Sequence, residues 1–347
     1  MNKVKIAAIT CEQPQKKFEN DDPIFSNLPE MSNRWWRFWG IERRGFFQPE
    51  QGENELVVAK AAVSRLLKST DTNPENVDLL LCAASCPILT ESGNVLPNNV
   101  ARLYPRLSRV LRQELGLDNA LNFDVQMECA SFLLNLKLAS SFIQQGKAKT
   151  AVIVCCEYIS NMLDFTSRSS TIFADGCVAV LLTESDDGSD LLASSQHSNA
   201  DYYEIATGKW RFPENSSSDD KVKLYFTLLE EGQSKMQEFV PHNVPLAVNR
   251  ALDKAQVSSE QIDQFVFHQP SPFLMHAWAT GVGCPEDKYL QTMKENGVMV
   301  SVSMPFTLYT ALNKKLIQEN NTIVLAGAAT GWGFAAQVWR IGKVIIC

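Results

Sequence analysis

The chain has 347 residues, 45% hydrophobic and 20% charged, with 32 Lys and Arg against 39 Asp and Glu for a formal net charge of −7. That composition excludes disordered and collagen-like chains, and the acidic balance excludes a broad basic surface for nucleic acid or an anionic membrane. The length suits about two domain-sized units, with partners to be sought among small molecules and proteins.

Short apolar, β-branched runs at 4–10, 77–84, 121–125, 150–156, 178–183, 262–268, 322–326 and 335–341 alternate with helical periodicity. This is the pattern of an α/β protein whose strands are covered on both faces. The first run, in MNKVKIAAIT, is too short for a signal-peptide core, and no later run approaches the ~18 apolar residues of a membrane span. After it, Asn54 is placed to cap a helix whose Leu56, Ala59, Val63, Leu66 and Leu67 share one face. A stretch at 90–115 follows the second run as an insertion. Next, FDVQMEC leads into ASFLLNLKLASSFIQQGK, where apolar and small residues surround the helix, so it is expected to be buried on all sides and to stop at Gly146. Residues 207–223 (TGKWRFPENSSSDDKVK) read as a polar loop, and two further helices are expected after Val244 and Pro305.

Glu-x-(Val/Ile)-Asp precedes a buried strand in both TDTNPENVDLLLCAAS and AQVSSEQIDQFVFHQP, and KTAVIVCC echoes NTIVLAGA. These echoes point to a duplicated core, although any α/β chain shows some such likeness. The implied division is 1–185 and 241–347, with 186–240 as an insertion.

Nine cysteines, several inside apolar runs, suit free thiols in a reducing cytoplasm better than a secreted disulfide framework. Cys129 differs in position. It stands where a buried strand meets a helix N-terminus, and the free N–H groups there favour a thiolate and can hold an oxyanion. It is either a nucleophile or a small core residue like the others. Of the four histidines, only His268 ends a buried strand of the repeated unit, and the opposing sheet edge can bring it to Cys129. The alternative for His268 is a hydrogen-bonded core residue. His197, His242 and His276 read as packing or surface residues. No metal site is indicated, since CxxC, HxxxH and clustered carboxylate spacings are absent, and no phosphate-binding glycine motif occurs. GAATGWGFAA is a small-residue turn whose backbone can approach a reacting carbonyl or simply pack tightly. RWWRFWGIERR sets Trp35, Trp36 and Trp39 among Arg34, Arg37, Arg43 and Arg44, a cluster fit for binding a nucleotide or for packing a helix onto the body.

In chain order, GIERR, FDVQMECASFLLNLKLAS, EYIS, DFTSRSSTIFADGCVAV, FVFHQP and GAATGWG resemble the motifs of the β-ketoacyl-acyl-carrier-protein synthase III family of the thiolase superfamily, over essentially the whole chain. The resemblance implies a thiolase-like duplicated five-layered α/β/α/β/α sandwich. It implies acyl-CoA as substrate, with no permanently bound cofactor. Cys129 matches the family's acyl-accepting cysteine and His268 its assisting histidine. Arg168 falls where the family contacts coenzyme A, with a structural ion pair as the alternative, and Ala328 falls where a backbone N–H completes the oxyanion hole.

Two positions depart from the family pattern. Glu128 precedes the nucleophile where the family usually has a small residue. Gly297-Val298 stands where the family has Gly-Asn before Ser-x-Pro, and Asn296 is out of register. The family asparagine polarises a malonyl thioester as it loses CO2. Losing one such hydrogen bond costs about 3 to 4 kcal/mol, two to three orders of magnitude in rate. A free β-keto acid tolerates that loss better, because its ketone lies next to the carboxyl group, and an alcohol or amine acceptor avoids decarboxylation altogether. Within the family the chain is most similar to the acyl-carrying subunits of bacterial 2-alkyl-4-quinolone synthases. That similarity implies condensation of a medium-chain acyl group with 2-aminobenzoylacetate and a hetero-oligomer with a catalytically degenerate sister subunit. The alternatives are an acyltransferase to an alcohol or amine, and a non-catalytic partner subunit.

Overall fold

The structure, a computed structural model, describes residues 2–86, 105–201, 203–212, 223–228 and 232–347. In chain order the strands are β1 (Val4–Glu12), β2 (Lys17–Glu19), β3 (Arg43–Gly45), β4 (Leu79–Ala83), β5 (Leu121–Asp124), β6 (Thr150–Glu157), β7 (Gly176–Glu184), β8 (Asp190–Ser198), β9 (Ala206–Arg211), β10 (Lys223–Leu228), β11 (Gln264–Phe267), β12 (Thr322–Ala329), β13 (Gly333–Arg340) and β14 (Ile345–Ile346). The helices are α1 (Asn33–Trp39), α2 (Glu55–Ser69), α3 (Leu107–Glu114), α4 (Ser131–Gln144), α5 (Gly232–Ala255), α6 (Pro272–Gly281), α7 (Met293–Asn296) and α8 (Ser303–Asn313).

Two sheets carry the fold. The first has the order β14-β1-β7-β6-β4-β5 and the second β11-β12-β13-β8. Their connectivity repeats. β1 and β8 are antiparallel to β7 and β13, these are antiparallel to β6 and β12, and β4 and β11 lie parallel to β6 and β12. The strands that echo one another in sequence, β4 with β11 and β6 with β12, therefore occupy equivalent places. β8 lies within 186–240, so the second sheet draws on that stretch.

Helices α4 and α8 lie between the sheets, with Phe132, Leu136 and Ile143 of one and Met304 and Leu308 of the other sharing a core with the inner strand faces. α2 and α3 cover the outer face of the first sheet, and α5 and α6 that of the second. These are the five layers of a thiolase-like α/β sandwich. No residue of α4 is exposed, as its all-round apolar pattern requires, and Gly146 ends it by donating to Ile143 C=O at 2.9 Å. The Asn54 side chain caps α2, accepting the N–H groups of Leu56 and Val57 at 3.1 and 3.0 Å.

The structure differs from the sequence pattern at three places. β8, mixed in polarity and only partly buried, carries too weak an alternation to be read as a strand. Residues 207–211 and 223 of the expected loop at 207–223 are strand instead, since β9 pairs antiparallel with β10, while 213–222 lie outside the described residues. α5 starts at Gly232 and runs through Pro241 and Pro245, which the sequence marks as helix breakers. Of the insertion at 90–115, residues 90–104 lie outside the described residues and α3 occupies 107–114. Among the described residues, no helix is long and apolar enough to cross a membrane.

Removing a fully buried ring from the central layer should expose how much it holds. Phe132→Ala is expected to lower the unfolding free energy by about 3 to 5 kcal/mol, and Val57→Ala, on the exposed face of α2, by less than about 0.5 kcal/mol, both measured by urea denaturation.

Candidate active site

The junction between β5 and α4 is a tight 3-10 turn, Glu128–Ala130. Ser131 fixes it. Its hydroxyl accepts the Met127 N–H at 2.8 Å and donates to the Glu128 carbonyl at 2.7 Å. Glu128 sits at φ +39°. Asn135, one helical turn on, donates to the Ser131 carbonyl at 2.9 Å. The second half of the chain repeats the device ahead of α8, where Met299 N–H donates to Ser303 Oγ at 2.8 Å and Val300 sits at φ +44°. Ser301 thus holds the place in the second half that Cys129 holds in the first.

Cys129 is 8% exposed. Burial pushes its thiol pKa up, and the carboxyls of Glu128 and Glu157 push it further, while the backbone N–H groups of Cys129 and Thr330 oppose them. All nine cysteines are free and seven are buried, so burial alone does not distinguish this one.

His268 follows directly on β11, and its N–H carries the parallel pairing one residue further by donating to Ala326 C=O at 2.9 Å. Gln269 holds the strand end, donating to Phe267 and Leu290 carbonyls at 3.0 Å and accepting the Thr292 N–H at 2.7 Å. Gly327 is needed opposite, because a Cβ there would lie 2.7 Å from the His268 Cβ. Burial lowers the His268 pKa to about 3, and Nδ1 has no hydrogen-bond partner among the described residues. The ring is a buried neutral imidazole with a free nitrogen. The other histidines are as expected: His197 stacks on Phe334 and meets Asn243 Oδ1 at 2.9 Å, and His242 and His276 are exposed.

Cys129, His268, Ala328 and Thr330 line one apolar cavity of about 70 Å³, closed by Trp39, Phe173, Trp278 and Val298 among others. Both backbone groups of Val298 are engaged, N–H with Ile172 C=O at 2.9 Å and C=O with Ala174 N–H at 3.0 Å. Only its isopropyl group faces the cavity. Gly297, at φ +68°, lets this strand lie against Ala174 and Arg44, since a Cβ would come within 2.8 and 2.9 Å of theirs. Asn296 does not substitute. Its side chain is tied to Gln13, Lys17 and the Thr292 carbonyl at 3.0, 2.9 and 2.8 Å.

Trp39 also lines an outer basin of about 710 Å³ that includes Arg34, Arg37, Trp35, Phe38 and Arg168. The tryptophan–arginine segment therefore both packs and faces a basin. Trp35 Nε1 donates to Thr171 Oγ1 at 3.2 Å, and that hydroxyl donates to the Arg168 carbonyl at 2.8 Å. Arg44 is wholly buried and donates to the Thr171 carbonyl at 2.7 Å, while Arg43 pairs with Glu19 at the surface. Arg168 thus sits apart from Cys129 and His268, in the basin rather than the chamber.

Residues 123–200 match the family described as 3-oxoacyl-[acyl-carrier-protein (ACP)] synthase III, and residues 252–341 match its C-terminal region. The subunit PqsC of 2-heptyl-4(1H)-quinolone synthase from Pseudomonas aeruginosa strain PAO1 is 58% identical over 348 residues, covering 100% of both chains. The chain belongs to the 3-oxoacyl-[acyl-carrier-protein] synthase III family. In fold it matches the synthase III of Aquifex aeolicus VF5 with a TM-score of 0.81 at 23% identity, covering 97% of this chain and 99% of that one. The synthase III of Pseudomonas aeruginosa PAO1 gives 0.80 at 22% identity, with 99% of both chains covered.

Three parts of this synthase III-family site depend on juxtapositions that the sequence does not display. The Thr330 N–H lies within the GAATGWG turn, in which the sequence marks Ala328 as the one donor. Trp39 belongs to the aromatic cluster named from the sequence, but its place between chamber and basin has no sequence signal. The Glu157 carboxyl, at the end of β6, opens the EYIS motif, but nothing local marks it as a neighbour of Cys129.

The lowered pKa of His268 sets a test. A histidine in the unfolded chain titrates near 6.5, so burying this ring neutral costs stability progressively as pH falls from there towards about 3. The His268 imidazole NMR signals are expected to stay those of the neutral ring from about pH 5 to 8.

Proposed function

We propose that this chain is the acyl-carrying, condensing subunit of a 2-alkyl-4(1H)-quinolone synthase. The observation that carries the reading is the apolar chamber shared by Cys129 and His268, in which Val298 presents an isopropyl group beside the nucleophile and offers no hydrogen bond. Such a chamber suits an acyl thioester, and suits poorly the polarisation of a malonyl thioester. The 58% identity to a subunit of 2-heptyl-4(1H)-quinolone synthase supports the same acceptor class.

In the first half-reaction Cys129 Sγ attacks the carbonyl of a medium-chain acyl-CoA. The new S–C bond replaces that to coenzyme A, which leaves with a proton as the free thiol. Neutral His268 accepts the Cys129 proton and returns it to the leaving thiolate. The N–H groups of Cys129 and Ala328 hold the oxyanion, and Thr330 N–H supports the sulfur. Arg34, Arg37 and Arg168 give the outer basin a positive rim for the phosphates and adenine of coenzyme A, and Trp39 marks the passage inward. In the second half-reaction 2-aminobenzoylacetate loses CO2, its carbanion attacks the thioester carbonyl, and Cys129 leaves. The aromatic amine then closes on the new ketone with loss of water. The relative is named as a subunit, which supports a partner chain, and in this reading that partner is a catalytically degenerate thiolase-fold sister.

The test is single turnover followed by intact mass and product analysis. Octanoyl-CoA is expected to add one octanoyl group to the peptide containing Cys129, and 2-aminobenzoylacetate to discharge it as a 2-heptyl-4-quinolone with one CO2. Cys129→Ala should accumulate no adduct, and His268→Ala should slow condensation by two to four orders of magnitude, roughly the worth of a positioned acid–base group. Discharge to an alcohol or amine without CO2 would favour an acyltransferase. An absence of adduct even with the partner subunit present would favour a non-catalytic role.

A further inference from the structure

Behind the nucleophile lies a second polar cluster that the proposed chemistry does not use. Glu157, wholly buried at the end of β6, accepts the Ser85 N–H at 2.9 Å and the Ser301 hydroxyl at 2.5 Å. The Ser85 hydroxyl lies 3.2 Å from Glu157 Oε1 and 3.3 Å from Glu128 Oε2, and accepts from Gln126 Nε2 at 3.1 Å. That hydroxyl has one proton to give and two carboxyls to give it to. No cationic side chain forms an ion pair with either carboxyl among the described residues. The groups facing Cys129 are Glu128 on its own turn, Glu157 from β6, neutral His268 from the end of β11, and the Thr330 N–H from the end of β12.

Burial raises the Glu157 pKa to about 7, with the Ser301 and Ser85 hydrogen bonds opposing and Glu128 adding to it, and burial raises that of Glu128 as well. Two carboxyls this close, with no cation between them, titrate as a pair that retains a proton more readily than either alone. The duplicated turn shows that the fold does not require a carboxylate here. Val300 stands in the place of Glu128 with nearly the same backbone angle, φ +44° against +39°.

We propose that Glu128 and Glu157, bridged by Ser85, are positioning residues that add to burial in keeping Cys129 as the thiol in the resting protein and so raise the pH at which it becomes a nucleophile. This rests on the reading of Cys129 as the acyl acceptor. The carboxyls do not touch the acyl group. They act on it through the charge they place beside the sulfur, and the thiol proton passes to His268 or to solvent when the thiolate forms. The arrangement spares an unacylated cysteine from adventitious alkylation and oxidation, which proceed through the thiolate.

The test is the pH dependence of Cys129 alkylation by iodoacetamide in the full-length protein without substrate, followed by peptide mass so that the other cysteines do not contribute. Glu128→Gln is expected to move the midpoint down by about one pH unit or more, tenfold more thiolate at a given pH below it. Glu128→Val, the residue that the second turn carries, is expected to do the same. Glu128→Asp, which keeps the charge, is expected to hold the midpoint within a few tenths. An unchanged midpoint in both the Gln and Val variants, or an equal shift in the Asp variant, would overturn the proposal. Because alkylation reads the thiol alone, a failure of acyl-CoA to load Cys129 would count against the function above and leave this result standing.

Discussion

The site depends on a single serine hydroxyl. By taking the Met127 N–H and giving its proton to the Glu128 carbonyl, Ser131 closes the turn that turns a strand into a helix within a few residues. Cys129 is thereby set at the N-terminal end of α4, where unpaired N–H groups remain. The helix cannot drift, because it is packed on every side between two sheets. Ser303 repeats the closure in the second half. The two turns meet across Glu157, one carrying Cys129 and the other the Ser301 hydroxyl that holds the carboxyl. Duplication here is therefore more than a likeness of strands, since each half provides what the other's turn lacks.

Burial then decides protonation. The same dry chamber that neutralises His268 also holds the Cys129 thiol up, so neither group is charged by default. Charge has to be created by the reaction, and the backbone N–H groups around the sulfur are already placed to receive it. The chamber has backbone N–H groups beside the sulfur but no donor at Val298, so in the proposed reaction it favours charge on the acyl side over charge on an incoming malonyl group. This asymmetry suits an acceptor that carries its own electron sink.

Much of this was legible in the sequence. All eight strongly apolar runs are strands, the Asn54 cap and the all-buried helix are as expected, and the residues singled out as nucleophile and base share a chamber. What escaped were features whose signal is not hydrophobic. β8 is an edge strand with a half-exposed, mixed pattern, and the β9–β10 hairpin reads as loop because its strands flank a polar stretch. α5 runs through two prolines because it is held against the second sheet and α6, where Gly281 leaves room for the Pro245 ring. The Ser85–Glu157–Ser301 cluster joins residues from three distant parts of the chain, a long-range juxtaposition that no local pattern encodes.

The central claim is that acyl loading is retained while malonyl decarboxylation is lost at Val298. It is tested most directly by presenting the preformed acyl-protein with a malonyl thioester or with a free β-keto acid and measuring CO2 release in each. The account predicts release from the β-keto acid at least about a hundredfold faster than from the malonyl thioester, the order of magnitude of one missing carbonyl hydrogen bond, with Val298→Asn narrowing the gap. Comparable rates for the two acceptors in the unaltered protein would contradict it.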